Sequence, residues 1–476
     1  MRIKEKELKK WMPFAVFFVL AVPMLFRELG SGDELWNYNF AINVSRGMVP
    51  YKDFSMVQTS LSAFFSAIVL LVLGNSLISF RIAGMVLIAV TFALMFLVCK
   101  MITGREWLSW VVCSFAYAVV YHLWIYNYNY LILLGVILIF YLELKGNTRM
   151  HRVIAFLYGV FPLIKQSTGG LLLLLFFAGL LFDFFRTKEA RKDILYNFVV
   201  SLIPGSIFML YLLVTESLDS FWEYAISGVS TFTHRIYIWD YVVSFPMAII
   251  FVAFIALSIV LSLVTIAKRK DNRKYIHIKF LLIALVAGVV GYPLTDHHHM
   301  TIAIVPYIVC FLLCFHYDKK YSSSQKVACL GVAIVILIFS SSVVLSDAGD
   351  LQMSQLPHYR GVPIDPNVEK NIILVQEFIL AEEEEGNRVV IADECAALCM
   401  IPLDKYTKNF DMFLVGNLGN NSIQDLLGDD DNVIYLVARD ESTLGYQAHH
   451  DFVRYVKNNY KKVGEVSGLD AYEKQN

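Results

Sequence analysis

Charge is scarce in this chain. Of its 476 residues only 17% are Asp, Glu, Lys or Arg, against about a quarter in an ordinary soluble protein. Hydrophobic residues make up 57% and mean hydropathy is +0.57, more apolar surface than a water-soluble globule can hide. Fibrous, disordered and nucleic-acid-binding classes are excluded, and the lipid bilayer becomes the solvent for most of the chain before residue 347. A disulfide framework is also lacking: five of the seven cysteines, Cys99, Cys113, Cys310, Cys314 and Cys329, lie in or beside apolar runs, where thiols act as packing groups. Cys395 and Cys399 stand four apart in a later polar region without companion ligands and read as free thiols. There is no internal repeat and no low-complexity tract. Nor does an A-x-A cleavage site follow the first apolar run, Trp11 to Phe26, although Arg2, Lys4, Lys6, Lys9 and Lys10 precede it in the layout of a signal sequence; the run is expected to be a retained first span.

What is present is a series of apolar runs, each a candidate to cross about 30 Å of hydrocarbon, which takes about 20 helical residues. Eleven spans are expected, at 11–27, 78–100, 107–123, 128–144, 152–164, 169–185, 195–214, 241–267, 278–293, 300–316 and 325–346. Leu61 to Leu73 is a twelfth candidate, but a helix of that length reaches only about 20 Å. Charge decides. If this run does not cross, the loops on the N-terminal side hold 23 Lys and Arg and the opposite loops hold 5; counting it as a span would flip every later loop and destroy that bias. The expectation is therefore a multi-pass cell-membrane protein with a cytoplasmic N-terminus, in which Leu61 to Leu73 lies along or dips into the outer surface. The predicted fold class is a polytopic α-helical membrane domain, 1–346, with a first outer loop at 28–77, followed by a small extracytoplasmic α/β domain at 347–476. That last part alternates helical patterns (367–385, 447–459) with short apolar strands (388–392, 433–438).

The unusual polar residues are all expected on the outer side. Asp33 and Glu34 stand a few residues beyond the first span, at the head of a predicted surface helix over 34–46. A carboxylate so close to lipid is a candidate general base; alternatively both acids only cap the helix and complement its dipole. Arg46 follows, then a Pro-Tyr-Lys-Asp-Phe turn containing Lys52 and Asp53, for each of which a plain turn is the simpler reading. Lys165, with Gln166 beside it, falls just below the outer surface, where an ammonium calls for a partner such as a lipid phosphate; snorkelling to ordinary head groups is the alternative. Asp296, His297, His298 and His299 share one short connection. Three consecutive imidazoles cannot converge on one ion without an odd backbone, so His297 or His299 donating to phosphate, with Asp296 orienting a ring, is favoured over a metal site. The loop 215–240 adds aromatics, scattered acids and Arg235.

Asp33-Glu34, then Gly47-Met48-Val49-Pro50-Tyr51-Lys52-Asp53-Phe54, then the apolar run to Gly74 resemble the GT-C superfamily of integral-membrane glycosyltransferases, especially the relatives of protein O-mannosyltransferases and of the lipid A aminoarabinose transferase. Lys165-Gln166-Ser167 and Tyr292-Pro293 with Asp296 and His299 are similar to motifs of bacterial members. The resemblance covers about the first 350 residues. It departs at Trp124 to Asn129, which carries no acid where several members have one, and this puts an acidic-pair metal site in doubt; a divalent metal is left open and no other cofactor is implied. The resemblance implies transfer of a sugar from a polyprenyl-phosphate carrier to a cell-envelope glycan, lipid or protein at the outer face, normally with inversion. Asp33 would then take the proton of the attacking hydroxyl, Glu34 would orient or substitute for it, and Lys165, Arg235 or His299 would stabilise the departing phosphate. A lipid-linked glycan polymerase is a near alternative. A transporter or flippase would need polar residues in mid-span, which are few here.

Overall fold

The computed structural model describes residues 2–30, 32–120, 126, 128–188, 191–231, 238–244, 248–271, 273–291, 295, 297–316, 331, 350–394, 396–419, 421–428, 432–444 and 448–474. In chain order the helices are α1 (Arg2–Ala21), α2 (Asp33–Ser45), α3 (Leu61–Leu73), α4 (Leu77–Thr103), α5 (Glu106–Val120), α6 (Tyr128–Lys145), α7 (Thr148–Ile164), α8 (Gln166–Arg186), α9 (Arg191–Val214), the short α10 (Leu218–Phe221), α11 (Gly228–Thr231) and α12 (Ile238–Ser244), then α13 (Ala248–Lys268), α14 (Arg273–Gly288) and α15 (His297–His316). The remainder holds α16 (Pro366–Glu384), α17 (Ala396–Met400), α18 (Ile423–Leu427) and α19 (His450–Asn459). Its strands are β1 (Gln352–Met353), β2 (Pro363–Ile364), β3 (Arg388–Ala392), β4 (Val433–Ala438), β5 (Tyr460–Val466) and β6 (Leu469–Lys474).

Among the described residues six helices are long and apolar enough to cross a membrane: α4, α6, α8, α9, α13 and α14 with the turn that follows it. The expected spans at 11–27, 107–123 and 300–316 meet shorter apolar helices, and the one at 152–164 meets α7. The span expected at 325–346 lies outside the described residues, apart from residue 331. The chain divides into two compact units that cut across its order: Met1–Val22, Gly84–Phe208 and Arg235–Asp347 form one, and Pro23–Ala83, Met209–His234 and Ala348–Asn476 form the other.

In the first unit, burial separates inner helices from lipid-facing ones. The apolar window of α4 is 67% buried and those of α8 and α9 only 17%, so Leu174, Leu181 and Phe182 on α8 and Leu202 and Ile203 on α9 are left exposed. In a protein whose solvent is lipid, such a surface costs nothing. Helices α7 and α8 form a tight pair because of Gly169: a Cβ there would stand 2.1 Å from the Phe161 carbonyl oxygen, so only glycine permits the approach.

The second unit contains the segment Pro23–Ala83 and the α/β part. Helix α3 turns Ser62, Ala63, Ser66 and Ala67 inward and leaves Ile68, Leu71 and Val72 exposed. Small residues let it lie close to α2, and its large apolar side chains have only lipid to face. The four-stranded sheet has the order β3-β4-β6-β5, with β3 and β4 parallel, from Arg388 opposite Val433 to Ala392 opposite Val437. Period-two alternation splits these strands between two cores. Val390, Tyr435 and Val437 pack with Phe410, Phe413 and Phe452; Val389, Ile391, Ile434 and Leu436 pack with Val375 and Ile379 of α16. Helix α16 starts where it does because Asp365 accepts the Asn367 amide at 2.7 Å and Pro366 occupies the first helical position.

Candidate active site

In the second unit, Gly32 has φ +73°, a conformation that favours glycine, and from it the chain enters α2 with Asp33 and Glu34 in the first turn. The structure gives these neighbours different surroundings. Glu34 is 1% exposed and its carboxylate is held on two points by Arg81, Nε to Oε1 at 2.8 Å and Nη2 to Oε2 at 2.8 Å. Arg81 also donates to the carbonyls of Leu25 (3.0 Å), Arg27 (2.7 Å) and Glu28 (3.1 Å). Every N–H of the guanidinium is thereby used, and the end of the first span, the head of α2 and the start of α4 are tied at one point. Glu34, expected to orient or substitute for Asp33, is committed to this clamp. Asp33, one residue earlier and about 100° round the helix, stays half-exposed; its carbonyl accepts the Asn37 amide at 2.6 Å.

Further along α2, Asn37 accepts from Gln58 (2.8 Å) and Asn39 donates to Asp411 (3.0 Å). Asp411 also accepts the Thr407 amide at 2.8 Å. Burial pushes its carboxyl up to about 7, against the lowering influence of the Thr407 amide, Asn39 and the Arg46 charge. Arg46 pairs with Asp404, whose Oδ1 also lies 2.8 Å from His358 Nε2. Lys52 reaches the Thr215 carbonyl at 3.1 Å and Glu216 at 3.2 Å. Asp53 closes its own turn by accepting the Val49 amide at 2.6 Å, and its carbonyl accepts from the Tyr406 hydroxyl. Arg46, Lys52 and Asp53 thus all make contacts that fasten the segment after α2 to other parts of its unit.

In the first unit, Lys165 occupies the extended break between α7 and α8, with φ −147° and ψ 112°. It is 8% exposed. Its ammonium donates to Asn129 Oδ1 at 3.1 Å and to the Val290 carbonyl at 3.0 Å, and it stands 5.4 Å from the Tyr128 ring centre. Gln166 opens α8, half-buried. His299 is half-buried in the first turn of α15. His297 begins that helix, but its side chain, together with Arg235 and Asp296, lies outside the described residues. Among the described residues no group of three or more His, Cys, Asp and Glu side chains comes together.

Three residues of consequence escape a reading of the sequence. Arg81 had a signal, since a lone arginine at the edge of an apolar run is itself a request for a partner. Asn129 and Asp411 had none: an asparagine at the start of an apolar run and an aspartate in a polar stretch look like boundary and turn residues until burial is known.

Helices of this length and apolarity make the chain a multi-pass helical membrane protein carrying a small α/β element, with a half-exposed carboxylate at the head of a short helix. No family model matches the chain, and no curated protein matches it. Among solved structures it is similar to the crystal structure of ArnT from Cupriavidus metallidurans bound to undecaprenyl phosphate, at 9% sequence identity and a TM-score of 0.49 over 96% of this chain and 97% of that one. At that identity side chains cannot be matched position by position, so the roles of residues follow from this chain's own geometry.

Proposed function

We propose that the chain is a membrane glycosyltransferase that moves a sugar from a polyprenyl-phosphate carrier to a hydroxyl of a cell-envelope glycan, lipid or protein at the outer membrane face, with inversion at the anomeric carbon. The observation that carries this reading is the division between the two acids of α2. A clamp fixes Glu34 and with it the helix head, and so positions Asp33, which itself stays half-exposed. Asp33 accepts the proton of the acceptor hydroxyl, the hydroxyl oxygen bonds to the anomeric carbon, and the bond from that carbon to the phosphate oxygen breaks. The polyprenyl phosphate leaves with the bonding pair, and the Lys165 ammonium steadies the charge that develops on it. The excess of Lys and Arg in the loops on the N-terminal side supports the reading that Asp33 and Lys165 each belong to the outer side, which is the side this reaction requires.

The test is transfer of label from a panel of radiolabelled polyprenyl-phosphate sugars by membranes containing the protein, with the acceptor class identified by glycan and lipid comparison of cells with and without it. Asp33→Asn should lower transfer by about 10²- to 10⁴-fold, the range for loss of a general base, with folding unchanged. Undiminished transfer by that variant removes the proposed role.

A further inference from the structure

The ends of α7, α8 and α9 remote from Lys165 enclose a cleft of about 360 Å³. Arg152 lies thirteen positions before Lys165 along α7, about 20 Å along the helix, so nothing about the cleft depends on the proposed reaction. Its lining is bipolar. Arg152 and His151 come from the first turn of α7; Asp183 comes from the last turn of α8 and Asp193 from the first turn of α9. Arg152 is stacked 4.7 Å from the centre of the Tyr196 ring, an arrangement that fixes the guanidinium plane and leaves its edge for a ligand. Among the described residues, neither Arg152 nor either aspartate has an ion-pair partner. Immediately beyond the cleft the helix surfaces become apolar and exposed, with Leu181, Phe182 and Phe185 on α8 and Leu195, Val199 and Leu202 on α9. The cleft therefore sits where acyl chains end and head groups begin.

We propose that this cleft binds the head group of an aminophospholipid of the phosphoethanolamine type. Its phosphate lies on Arg152 and His151, its primary ammonium donates to Asp183 and Asp193, and its acyl chains run along the exposed apolar flanks of α8 and α9. Charge complementarity selects this occupant. A glycerol-type head group brings only an anion and leaves two carboxylates without a counter-charge. A choline head group has the positive charge but no N–H to donate, and a serine head group adds a carboxylate that meets the aspartates.

Native mass spectrometry of the full-length protein released from phosphatidylcholine nanodiscs, doped in turn with phosphatidylethanolamine and phosphatidylglycerol, tests the assignment. The ethanolamine lipid should be retained in preference to both others. Arg152→Gln should weaken its retention by roughly tenfold, the loss of one charge-assisted contact, and Arg152→Lys should recover part of it. Asp183→Asn with Asp193→Asn should reverse the preference toward phosphatidylglycerol, an independent arm at exposed positions. Equal retention of the three lipids by the unaltered protein, or a preference that survives these substitutions, overturns the proposal. Soluble phosphoethanolamine binding as tightly as the lipid would mean a free metabolite rather than a bilayer component, and would overturn it too.

Discussion

The head of α2 and the break between α7 and α8 each bury a cation, with different groups around it. At the first, Arg81 and Glu34 are each 1% exposed at the side chain and cancel one another, and three backbone carbonyls take the remaining guanidinium N–H groups. At the second, the ammonium of Lys165 donates to an asparagine oxygen and a backbone carbonyl and stands near an aromatic face. A cation balanced and fully bonded within the protein has no capacity left for a ligand and serves as architecture. Glu34 and Asp33, one residue apart, differ in burial: Glu34 is closed into the clamp and Asp33 is half-exposed.

Breaking the balanced pair should have the largest effect on stability. Arg81→Met strands the Glu34 carboxylate in a buried site, for which about 3–5 kcal/mol is expected; adding Glu34→Leu should recover most of it, and thermal unfolding of the single and double variants in detergent measures both. If the double variant is no more stable than the single one, the pair is not the unit described. Asp411 sharpens the comparison, because it is a buried carboxylate whose hydrogen-bond donors, Asn39 and the Thr407 amide, are neutral. Its carboxyl is raised from 3.8 to about 7, so between those values the folded protein keeps a proton that the unfolded chain has released. Stability should fall as pH rises through that window and level off above it, by at most about 4 kcal/mol. Asp411→Asn should flatten the slope and exceed the unaltered protein above neutrality; an unchanged pH dependence of the melting temperature would contradict this. The smallest stability effect belongs to Lys165→Met, about 1–3 kcal/mol for leaving Asn129 and the Val290 carbonyl without their donor. In that variant transfer should fall much further than the folded fraction, and loss of both in proportion would make Lys165 architecture as well.

The periodic elements were legible from the residues alone. The predicted helix over 34–46 is α2, Leu61–Leu73 forms a helix with those bounds, and the strands expected at 388–392 and 433–438 are β3 and β4, because apolar periodicity and turn residues are local properties. Strands β5 and β6 were not foreseen: β5 reads Tyr-Lys-Lys-Val-Gly-Glu-Val, polar on most positions, and it pairs across a bulge at an edge of the sheet, where little burial marks the sequence. For the site, the acids at the head of α2 and the buried Lys165 were visible as polar groups placed where lipid makes polarity costly. Their partners were not, since Arg81 is 47 positions from Glu34 and Asn39 is 372 from Asp411. Pairings at such separations are set by the fold and leave no pattern of spacing.

Two adjacent carboxylates are assigned different work, and one pair of variants measures that directly. Transfer per folded molecule, with the folded amount taken from size-exclusion in detergent, should collapse in Asp33→Asn while its melting temperature holds; in Glu34→Gln the melting temperature should drop while the molecules that remain folded still transfer sugar. If Asp33→Asn transfers as well as the unaltered protein, or if Glu34→Gln is fully stable and inactive, the assignment of chemistry to one acid and architecture to the other is wrong.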